Sequence, residues 1–467
     1  MRFYVTTLGC KVNQYESQAI ANILLSRGHE RAASVESCDV CVVNTCAVTA
    51  ESERKSRRTI NRMKKAEPGA LIAVCGCLSQ LDPDIAAFLG ADLVGGSVGR
   101  YGFALEAERL YNEKALTETR RSDISRRGEL RDERALTQGL QGEGQCEFMT
   151  GDPAEQRVFE DLPAVVEPPS AAAGNRTRAL LKIQDGCDNY CAYCVIPYAR
   201  GRARSLPVDR AVSHARELEE AGYREIVITG IEISSYGKDL AGKPSLAGVA
   251  RAIGAAAPSA RLRLGSLDPR IISPEFCDEI SSVPNLCGHF HLSLQSGCDE
   301  TLARMGRKYG TDAASESIAA IRRRFPVCGI TADLITGFPG ETDAEFERTL
   351  SFIKSAAFSQ MHIFPFSPRP GTRASAMGDQ VDRSVRRNRA RAAAAVAAEM
   401  ALEYRLGMTG ETVDVLFERT RGGHWVGFAG NYVEVTAASG GARNTISPVL
   451  ITKVSNGVVL GEITKGG

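Results

Sequence analysis

The stretch DGCDNYCAYCVIPYARGR, residues 185–202, contains three cysteines in a Cys-x3-Cys-x2-Cys spacing. Cys187, Cys191 and Cys194 are close enough along the chain to bind one metal centre, but no fourth Cys or His follows in this run. A structural zinc site needs four protein ligands, which usually come as two pairs. In a four-iron cluster, three thiolates leave one iron open to an outside ligand. S-adenosylmethionine, whose amino and carboxylate groups can chelate that iron, is the ligand suited to radical chemistry.

Six strand-like runs begin at this stretch and continue to residue 368, with helical patterns between them. They are ALLKIQ (179–184), EIVITG (225–230), RLRLGS (261–266), HFHLSLQS (289–296), GITADLITGFPG (329–340) and QMHIFPFSP (360–368). Strand and helix alternating in this way predict a parallel, partial TIM-like barrel. Its chemistry should lie at the carboxyl ends of the strands, where Cys187, Glu232, Gln295 and Gly337 fall.

The N-terminal region alternates strand-like and helix-like segments too. Strand patterns at RFYVTTLG (2–9), SCDVCVVNTCA (37–47) and ALIAVCGCLSQ (70–80) are separated by helical patterns over 13–28 and 52–66. This order is typical of an open α/β sheet. Ligand groups in such sheets gather where strands end, and Cys10, Cys46 and Cys77 each stand at such an end.

The regular pattern is lost between residues 99 and 175, where charged, Gly-rich and Pro-rich segments predict a partly disordered linker or insertion with Cys146 as an exposed bystander. Residues 381–406 predict one long helix, and five short alternating runs after it predict a small antiparallel β-barrel. The predicted fold class is therefore α/β multidomain. Its parts are an N-terminal open α/β sheet domain (1–98), the linker (99–175), the central partial barrel (176–406) and the C-terminal barrel (407–467).

Bulk composition limits the function classes. The chain has 57 Lys and Arg against 56 Asp and Glu, so any nucleic-acid contact must be a local patch. The N-terminus lacks the pattern of a signal peptide and no run of about 20 apolar residues occurs. We therefore expect a soluble, cytoplasmic protein whose 14 cysteines are reduced and serve as metal ligands or buried apolar residues.

The cysteine motif, with Tyr193 just before its last Cys, resembles that of the radical SAM superfamily. The resemblance implies a [4Fe-4S] cluster on Cys187, Cys191 and Cys194 that cleaves S-adenosylmethionine to a 5′-deoxyadenosyl radical. TGIE (229–232), SLQSG (293–297) and DLITGFPGET (333–342) resemble the family's contacts to the methionine amino group, the ribose or carboxylate, and the adenine. The cofactor-binding residues that it implies are Tyr193, Gly230, Glu232, Ser293, Gln295, Asp333 and Gly337. The alternative for each is an ordinary strand-to-helix turn without a ligand.

Three further segments resemble the N-terminal domain of the methylthiotransferases: TLGCKVNQYES (7–17), VVNTCAVTAESERKSRR (42–58) and AVCGCLSQ (73–80). This resemblance implies a second [4Fe-4S] cluster on Cys10, Cys46 and Cys77. Cys38 and Cys41 lie in an apolar strand and are interpreted as buried apolar residues. Strand alternation would point Cys75 to the same face as Cys77, so Cys75 is the alternative ligand.

GCKVNQYES resembles the group that methylthiolates carbon 2 of N6-threonylcarbamoyladenosine at tRNA position 37. The alternatives are a methylthiotransferase for isopentenyl-adenosine or for a ribosomal-protein aspartate, and a non-catalytic, metal-stabilised tRNA-binding protein. The implied partners are the tRNA anticodon stem-loop, an electron donor and a sulfur donor, and we expect a monomer.

The C-terminal barrel resembles the TRAM module, which grips tRNA in this family. Its available basic and aromatic side chains are Arg419, Arg421, His424, Trp425 and Tyr432. Trp425 and Tyr432 would alternatively fill the barrel interior. The run RGRARS (200–205), just beyond the cysteine motif, is expected to contact the anticodon backbone.

Overall fold

In the computed structural model, which describes residues 1–126, 146–163, 169 and 176–464, the chain begins with a parallel six-stranded sheet. All residues of its central strands β3 and β4 are buried, as expected where helices cover both faces. The strands are β1 (Arg2–Thr7), β2 (Glu30–Arg31), β3 (Val40–Thr45), β4 (Leu71–Gly76), β5 (Leu93–Gly95) and β6 (Glu147–Met149), in the order β2-β1-β3-β4-β5-β6. The helices are α1 (Lys11–Ser26), α2 (Ala50–Ala66), α3 (Cys77–Leu81), α4 (Pro83–Phe88) and α5 (Arg100–Arg126). The predicted open α/β sheet is confirmed.

The prediction of a linker from residue 99 is wrong at the start of that stretch. Residues Arg100–Arg126 form α5, whose charged side chains pair along the helix surface, as Arg109 does with Glu106 and Glu113. β6 adds a strand to the sheet beside β5. Cys146 is half-buried against the sheet core, so it is not the exposed residue that its neighbours suggested. Within the predicted linker, residues 127–145, 164–168 and 170–175 lie outside the described residues.

The chain divides into two units, and the division cuts the cysteine motif at its end. One unit comprises Met1–Pro163 together with Val195–Arg202, and the other comprises Ala164–Cys194 and Ala203–Gly467. The short helix α6 (Ile196–Arg200), which follows Cys194 directly, therefore belongs to the N-terminal unit. Among the described residues, no helix combines the length and apolar character needed to span a membrane.

The second unit contains two sheets of parallel strands, with orders β11-β10-β7 and β12-β13-β14-β15, and the antiparallel pair β8-β9. The six predicted strand runs correspond to β7, β10, β11, β13, β14 and β15, which confirms the parallel series. The strands are β7 (Arg178–Lys182), β8 (Gln184–Asp185), β9 (Arg204–Ser205), β10 (Glu225–Thr229), β11 (Arg261–Leu264), β12 (Ser266–Leu267), β13 (His289–Gln295), β14 (Gly329–Thr336) and β15 (Gln360–Pro365). The helices are α7 (Val208–Glu220), α8 (Leu246–Ala256), α9 (Pro274–Ser281), α10 (Asp299–Met305), α11 (Thr311–Arg324), α12 (Asp343–Ala356) and α13 (Arg383–Leu406).

A closed five-stranded barrel ends the chain. Its strands, in the order β16-β17-β18-β20-β19, are β16 (Thr412–Arg421), β17 (His424–Ala429), β18 (Glu434–Ala437), β19 (Ile446–Ser455) and β20 (Val458–Ile463). The predicted antiparallel barrel is confirmed with one exception, since β18 and β20 pair in parallel. The exception follows from closure: β19 pairs with β16, so β20 returns beside β18 in the same direction.

A buried ion-pair network ties this barrel to the parallel strands of the same unit. The Glu225 carboxylate accepts hydrogen bonds from Arg261 Nε and Arg263 Nε, both at 2.7 Å. The same guanidinium groups donate to the barrel carbonyls of Phe428 and Gly430 at 2.7 and 2.9 Å. Burial would raise the pKa of Glu225, but the charges of Arg263 and Arg261 win and lower it to about 2.

Replacing Glu225 with Gln should lower the free energy of unfolding at pH 7 by about 3–5 kcal/mol, because two buried guanidinium groups lose their counter-charge. The folded-state pKa of Glu225 lies below its ordinary value of 4.5, so its contribution is complete above that value and is lost as the pH falls toward 2. The difference between wild type and E225Q in urea unfolding should therefore shrink below pH 4.5. D278N, which removes an exposed ion pair with Arg324, is the control and should change stability by less than about 1 kcal/mol.

Candidate functional site

Cys187, Cys191 and Cys194 lie together on the loop that follows β7 and β8, as the strand pattern predicted. All three are free thiols and are neither fully buried nor fully exposed. Burial raises the pKa of the Cys187 thiol to about 12, and the charges of Glu232 and Cys191 act in the same direction. A metal centre reverses this preference because a coordinated thiol is deprotonated. The loop therefore presents three soft ligands that a cation would stabilise.

Arg307 joins the cysteine loop to β13. Its Nη1 atom lies 3.4 Å from Cys191 Sγ, and its Nη2 atom donates to the Ser293 carbonyl at 3.0 Å and to Asp268 at 3.1 Å. This guanidinium places a permanent positive charge beside the Cys191 sulfur. No pattern in the sequence singles out Arg307, because it lies 116 residues from Cys191 in the chain.

Tyr193 belongs to the cysteine loop, and Glu232 forms a hydrogen bond with that loop. The Tyr193 ring meets Phe338 edge-on with 6.4 Å between centroids. Glu232 accepts a hydrogen bond from the loop residue Asn189 at 3.1 Å, and its backbone N–H donates to Gln184 at 2.7 Å. Gly230 leaves room for this packing, since a Cβ there would lie 2.9 Å from Gln184 Cβ. These contacts are consistent with the expected cofactor roles, which stay predictions.

Three more of the predicted cofactor residues lie at the ends of β13 and β14. Ser293 is half-buried, and its carbonyl accepts from Arg307 and from the Tyr309 hydroxyl at 2.7 Å. Gln295 adopts a positive φ of 69° where the register between β13 and β14 shifts. Gly337 also has a φ of 69°, and a Cβ there would overlap Arg386 of α13.

Asp333 has a different environment from the other predicted cofactor residues. Its carboxylate pairs with His291 Nε2 at 3.1 Å, and His291 Nδ1 lies 2.8 Å from the Thr331 hydroxyl. One ligand atom each of Asp333, His291 and His362 lies within 4.8 Å of the other two. Sequence reasoning did not select the two histidines, although His291 shares a strand face with Ser293 and Gln295 through the period of two.

The second cysteine triplet comes from three neighbouring strands of the N-terminal sheet. Cys10 follows β1, Cys46 follows β3 and Cys77 follows β4, so the parallel sheet brings them to one edge. Gly9 is tightly packed here: its φ is +99°, and a Cβ on it would lie 2.7 Å from Cys46 Sγ. Burial raises the pKa of the Cys77 thiol to about 12, with Arg200 opposing it and the charges of Cys10 and Cys46 adding to it. The structure therefore brings Cys10, Cys46 and Cys77 together.

Two family models cover the stretches that contain the two triplets. Residues 2–94 match the family described as Uncharacterized protein family UPF0004, and residues 181–353 match the Radical SAM superfamily. Over 454 residues, the chain is 33% identical to the threonylcarbamoyladenosine tRNA methylthiotransferase MtaB of Bacillus subtilis, an alignment that covers 96% of this chain and 92% of the relative. The chain belongs to the radical SAM methylthiotransferase family.

Two other similar proteins mark the range of this likeness. A tRNA-2-methylthio-N(6)-dimethylallyladenosine synthase of Geobacter metallireducens is 31% identical over 443 residues, which cover 92% of each chain. The solved structure of the radical S-adenosylmethionine methyltransferase TsrM from Kitasatospora setae, with cobalamin and a [4Fe-4S] cluster bound, has a TM-score of 0.54. It is 15% identical and covers 91% of this chain and 80% of its own, so it is similar in fold alone.

As a radical SAM methylthiotransferase, the protein is an enzyme that uses an iron-sulfur cluster and S-adenosylmethionine. The residues present fit this cofactor set. Three partly exposed thiols on one loop supply soft ligands, and Arg307, 3.4 Å from the Cys191 sulfur, would offset the negative charge of a bound thiolate.

Strand alternation does not place Cys75 on the same face as Cys77. The strand ends at Gly76, whose φ is +113°, and Cys77 begins α3 instead of continuing β4. The period of two therefore does not extend from Cys75 to Cys77. Cys75 is fully buried, and burial raises the pKa of its thiol to about 11. The charged groups that act on the Cys75 thiol are Arg100, Glu16 and Arg200.

Cys38 and Cys41 are part of the apolar core of the N-terminal unit. Both are buried, and both pack among the aliphatic side chains between β3, β4 and α2. The interpretation of these two cysteines as buried apolar residues is confirmed.

Two of the arginines expected to contact tRNA phosphates are buried instead. In the run 200–205, Arg200 pairs with Glu16 at 2.7 Å and Arg204 pairs with Asp185 at 3.5 Å, and both are at most 2% exposed. Arg202 is the exposed arginine of this run. The expectation fails because charge density along the chain does not reveal which guanidinium groups find a buried carboxylate.

The aromatic residues of the C-terminal barrel are also engaged in packing. Trp425 packs against the barrel core and lies edge-on to Phe417, with 6.3 Å between centroids. Tyr432 stacks on His289 of β13 at 4.7 Å. The exposed basic residues Arg419 and Arg421 both contact Glu434, at 2.8 and 3.1 Å, and His424 is exposed.

Gly9→Ala should disturb the second triplet without touching the first. The added Cβ would require Cys46 to move, and the positive φ adds strain of about 1–3 kcal/mol. Iron bound after anaerobic reconstitution should fall to about half, the share of a single four-iron site. Gly28→Ala is the matched control, because Gly28 also has a positive φ of 83° but open space around its Cβ position. Equal iron uptake by the two variants would contradict the packing argument.

Proposed function

We propose that this methylthiotransferase acts on tRNA and adds a methylthio group to carbon 2 of N6-threonylcarbamoyladenosine at position 37, beside the anticodon. Support comes from the GCKVNQYES motif (9–17) and from the similarity to the Bacillus subtilis enzyme over 96% of this chain. tRNA would be reached in the cytoplasm, and the reaction needs an electron donor and a sulfur donor as partners.

The convergence of Cys10, Cys46 and Cys77 is the observation that carries this proposal. One three-cysteine loop is sufficient for reductive cleavage of S-adenosylmethionine, so a second triplet points to an additional task. The hydrogen on carbon 2 of adenine is not acidic enough for a general base to remove, and a C–S bond there requires radical activation and a held sulfur. When bound, clusters on the two triplets would supply these two functions, radical generation and sulfur delivery.

The chain's own side chains would bind and orient the methyl and radical donor. The Glu232 carboxylate, held beside the loop by Asn189, would accept from the methionine amino group. Ser293 and Gln295, at the end of β13, would offer a hydroxyl and an amide to the ribose or carboxylate. Gly230 and Gly337 keep the backbone close, since neither position has room for a Cβ.

The substrate base must leave the stacked anticodon loop to reach a site on the protein. Exposed cationic groups that would meet the RNA backbone include Arg202 in the N-terminal unit and Arg419 and Arg421 on the C-terminal barrel. Salt should therefore weaken tRNA binding, because each phosphate contact releases counterions.

The second candidate substrate is dimethylallyladenosine in tRNA. It is favoured by the 31% identity to the Geobacter metallireducens synthase, which is close to the 33% for the threonylcarbamoyladenosine enzyme. Both relatives are named as tRNA-modifying enzymes. Their names favour tRNA over a ribosomal-protein aspartate as the substrate, and catalysis over tRNA binding alone.

Cysteine variants should separate the two proposed tasks. C191A is expected to abolish 5′-deoxyadenosine formation, because the S-adenosylmethionine site loses a ligand. C10A is expected to retain that cleavage and to lose the methylthio product. C75A is the matched control, because Cys75 lies near the second triplet in the sequence but packs on the sheet, and it should retain both activities. Methylthio product from C10A, measured by nucleoside mass spectrometry, would exclude the assignment of Cys10.

Nucleoside mass spectrometry should also identify the substrate. Purified reconstituted enzyme is offered tRNA carrying threonylcarbamoyladenosine or dimethylallyladenosine under identical conditions. We expect a mass increase of one methylthio group on the threonylcarbamoyl nucleoside and at least tenfold less on the other. The reverse preference would establish the second candidate, and S-adenosylmethionine cleavage without either product would point to a protein substrate.

A further inference from the structure

A buried polar network lies behind the Cys10, Cys46 and Cys77 triplet. Glu16 of α1 accepts hydrogen bonds from two arginines that come from distant parts of the chain. Arg200 Nη1 lies 2.7 Å from Glu16 Oε1, and Arg100 Nη2 lies 3.1 Å from Glu16 Oε2. The side chains of all three residues are at most 1% exposed. Since arginine stays protonated in proteins, this network contains two positive charges and one negative charge.

Asn13 connects this network to the cysteines. Its Oδ1 atom accepts from Arg200 Nη2 at 2.7 Å and lies 3.9 Å from Cys10 Sγ. Its Nδ2 atom donates to the carbonyls of Leu8 and Thr45, both at 2.8 Å, and Thr45 directly precedes Cys46. The buried Asn13 side chain therefore links Arg200 to the backbone that leads into Cys10 and to the backbone that leads into Cys46.

The helix that carries Arg200 also packs on the third cysteine. Ala199 of α6 is fully buried in one apolar group with Cys77 and Leu78. The Ala199 carbonyl accepts a hydrogen bond from the Ser97 hydroxyl, which fixes α6 against the loop after β5. Arg200 is thus held by both the polar network and this packing.

Arg200 is the positive charge of the network that acts on the cysteines. Burying an excess positive charge is costly unless a negative group lies nearby. Glu160, which is half-buried near the start of α5, acts on Arg100, whereas the thiols of Cys46 and Cys77 feel the charge of Arg200. A four-iron cluster bound by three thiolates is anionic, and its reduction potential depends on nearby charge.

We propose that Arg200, Glu16 and Arg100 form the counter-charge of the second cluster and set its reduction potential, with Asn13 holding the cysteine backbone in register. This inference rests on the second cluster of the proposed function. Arg200 and Glu16 are positioning residues, since neither is a ligand. Arg200, which completes the network behind the second triplet, lies only six residues after Cys194, the last cysteine of the first triplet.

The test uses the full-length chain with Cys187, Cys191 and Cys194 replaced by Ala, so that the remaining iron reports on the second triplet alone. Iron and sulfide are quantified after anaerobic reconstitution, and the midpoint potential is measured by EPR-monitored redox titration. R200Q removes a positive charge and should lower the potential. E16Q removes the negative charge and should raise it. R200K keeps the charge and should remain nearest to the parent.

Opposite shifts in R200Q and E16Q are the decisive result, because a merely structural defect would not change sign with the charge removed. Shifts in the same direction, or none, would overturn the inference. If R200Q retains no cluster, R100Q takes its place with the same expected sign, because Arg100 contacts Glu16 from the other side. R57Q, which breaks a surface pair with Glu53, is the control and should not shift the potential. Absence of iron in the parent would instead reject the second cluster itself.

Discussion

Three thiolates that share one metal centre repel one another, so the polypeptide must bring the three sulfurs to one place and hold them there. Parallel strands meet this requirement because their carboxyl ends lie at the same edge of a sheet. The N-terminal sheet uses three adjacent strands, β1, β3 and β4, each followed closely by a cysteine. The second unit instead places its three cysteines on one loop after β8. Both units thus hold three sulfurs close together, one with three strands of a sheet and the other with a single loop.

A buried guanidinium lies near each triplet, but the two are held in different ways. Arg307 approaches Cys191 directly, at 3.4 Å from its sulfur. Arg200 contacts the other triplet through Asn13 and shares Glu16 with Arg100. Arg307 therefore acts as a single positive charge close to one sulfur. In the network around Glu16, the net charge can be lowered by replacing an arginine or raised by replacing the carboxylate.

Local periodicity was sufficient to predict much of this architecture. The six parallel strands, the long helix near residues 383–406 and the five barrel strands follow from alternation and turn residues, and both cysteine triplets follow from their spacing and family likeness. Periodicity failed where a strand ends: Cys77 lies beyond the positive-φ Gly76, so the strand alternation that includes Cys75 does not reach it. It failed also over residues 100–126, where a long charged helix resembles a solvated linker in composition.

Long-range pairing was beyond what the sequence alone could supply. Arg200 and Arg204 look like part of an exposed basic run, and their carboxylate partners are Glu16 and Asp185. The His291, Asp333 and His362 group needs three strands in register before it exists. These features depend on tertiary distances, for which one sequence carries no direct signal.

The membership of residues 195–202 in the N-terminal unit has a consequence for biosynthesis. Arg200 leaves the ribosome 184 residues after Glu16, a delay of roughly 10–40 s at ordinary elongation rates. Arg100 becomes available 84 residues after Glu16, but α6, which packs on Cys77, is missing until the end of that interval. The N-terminal unit therefore cannot complete its interior until residues 195–202 have been translated.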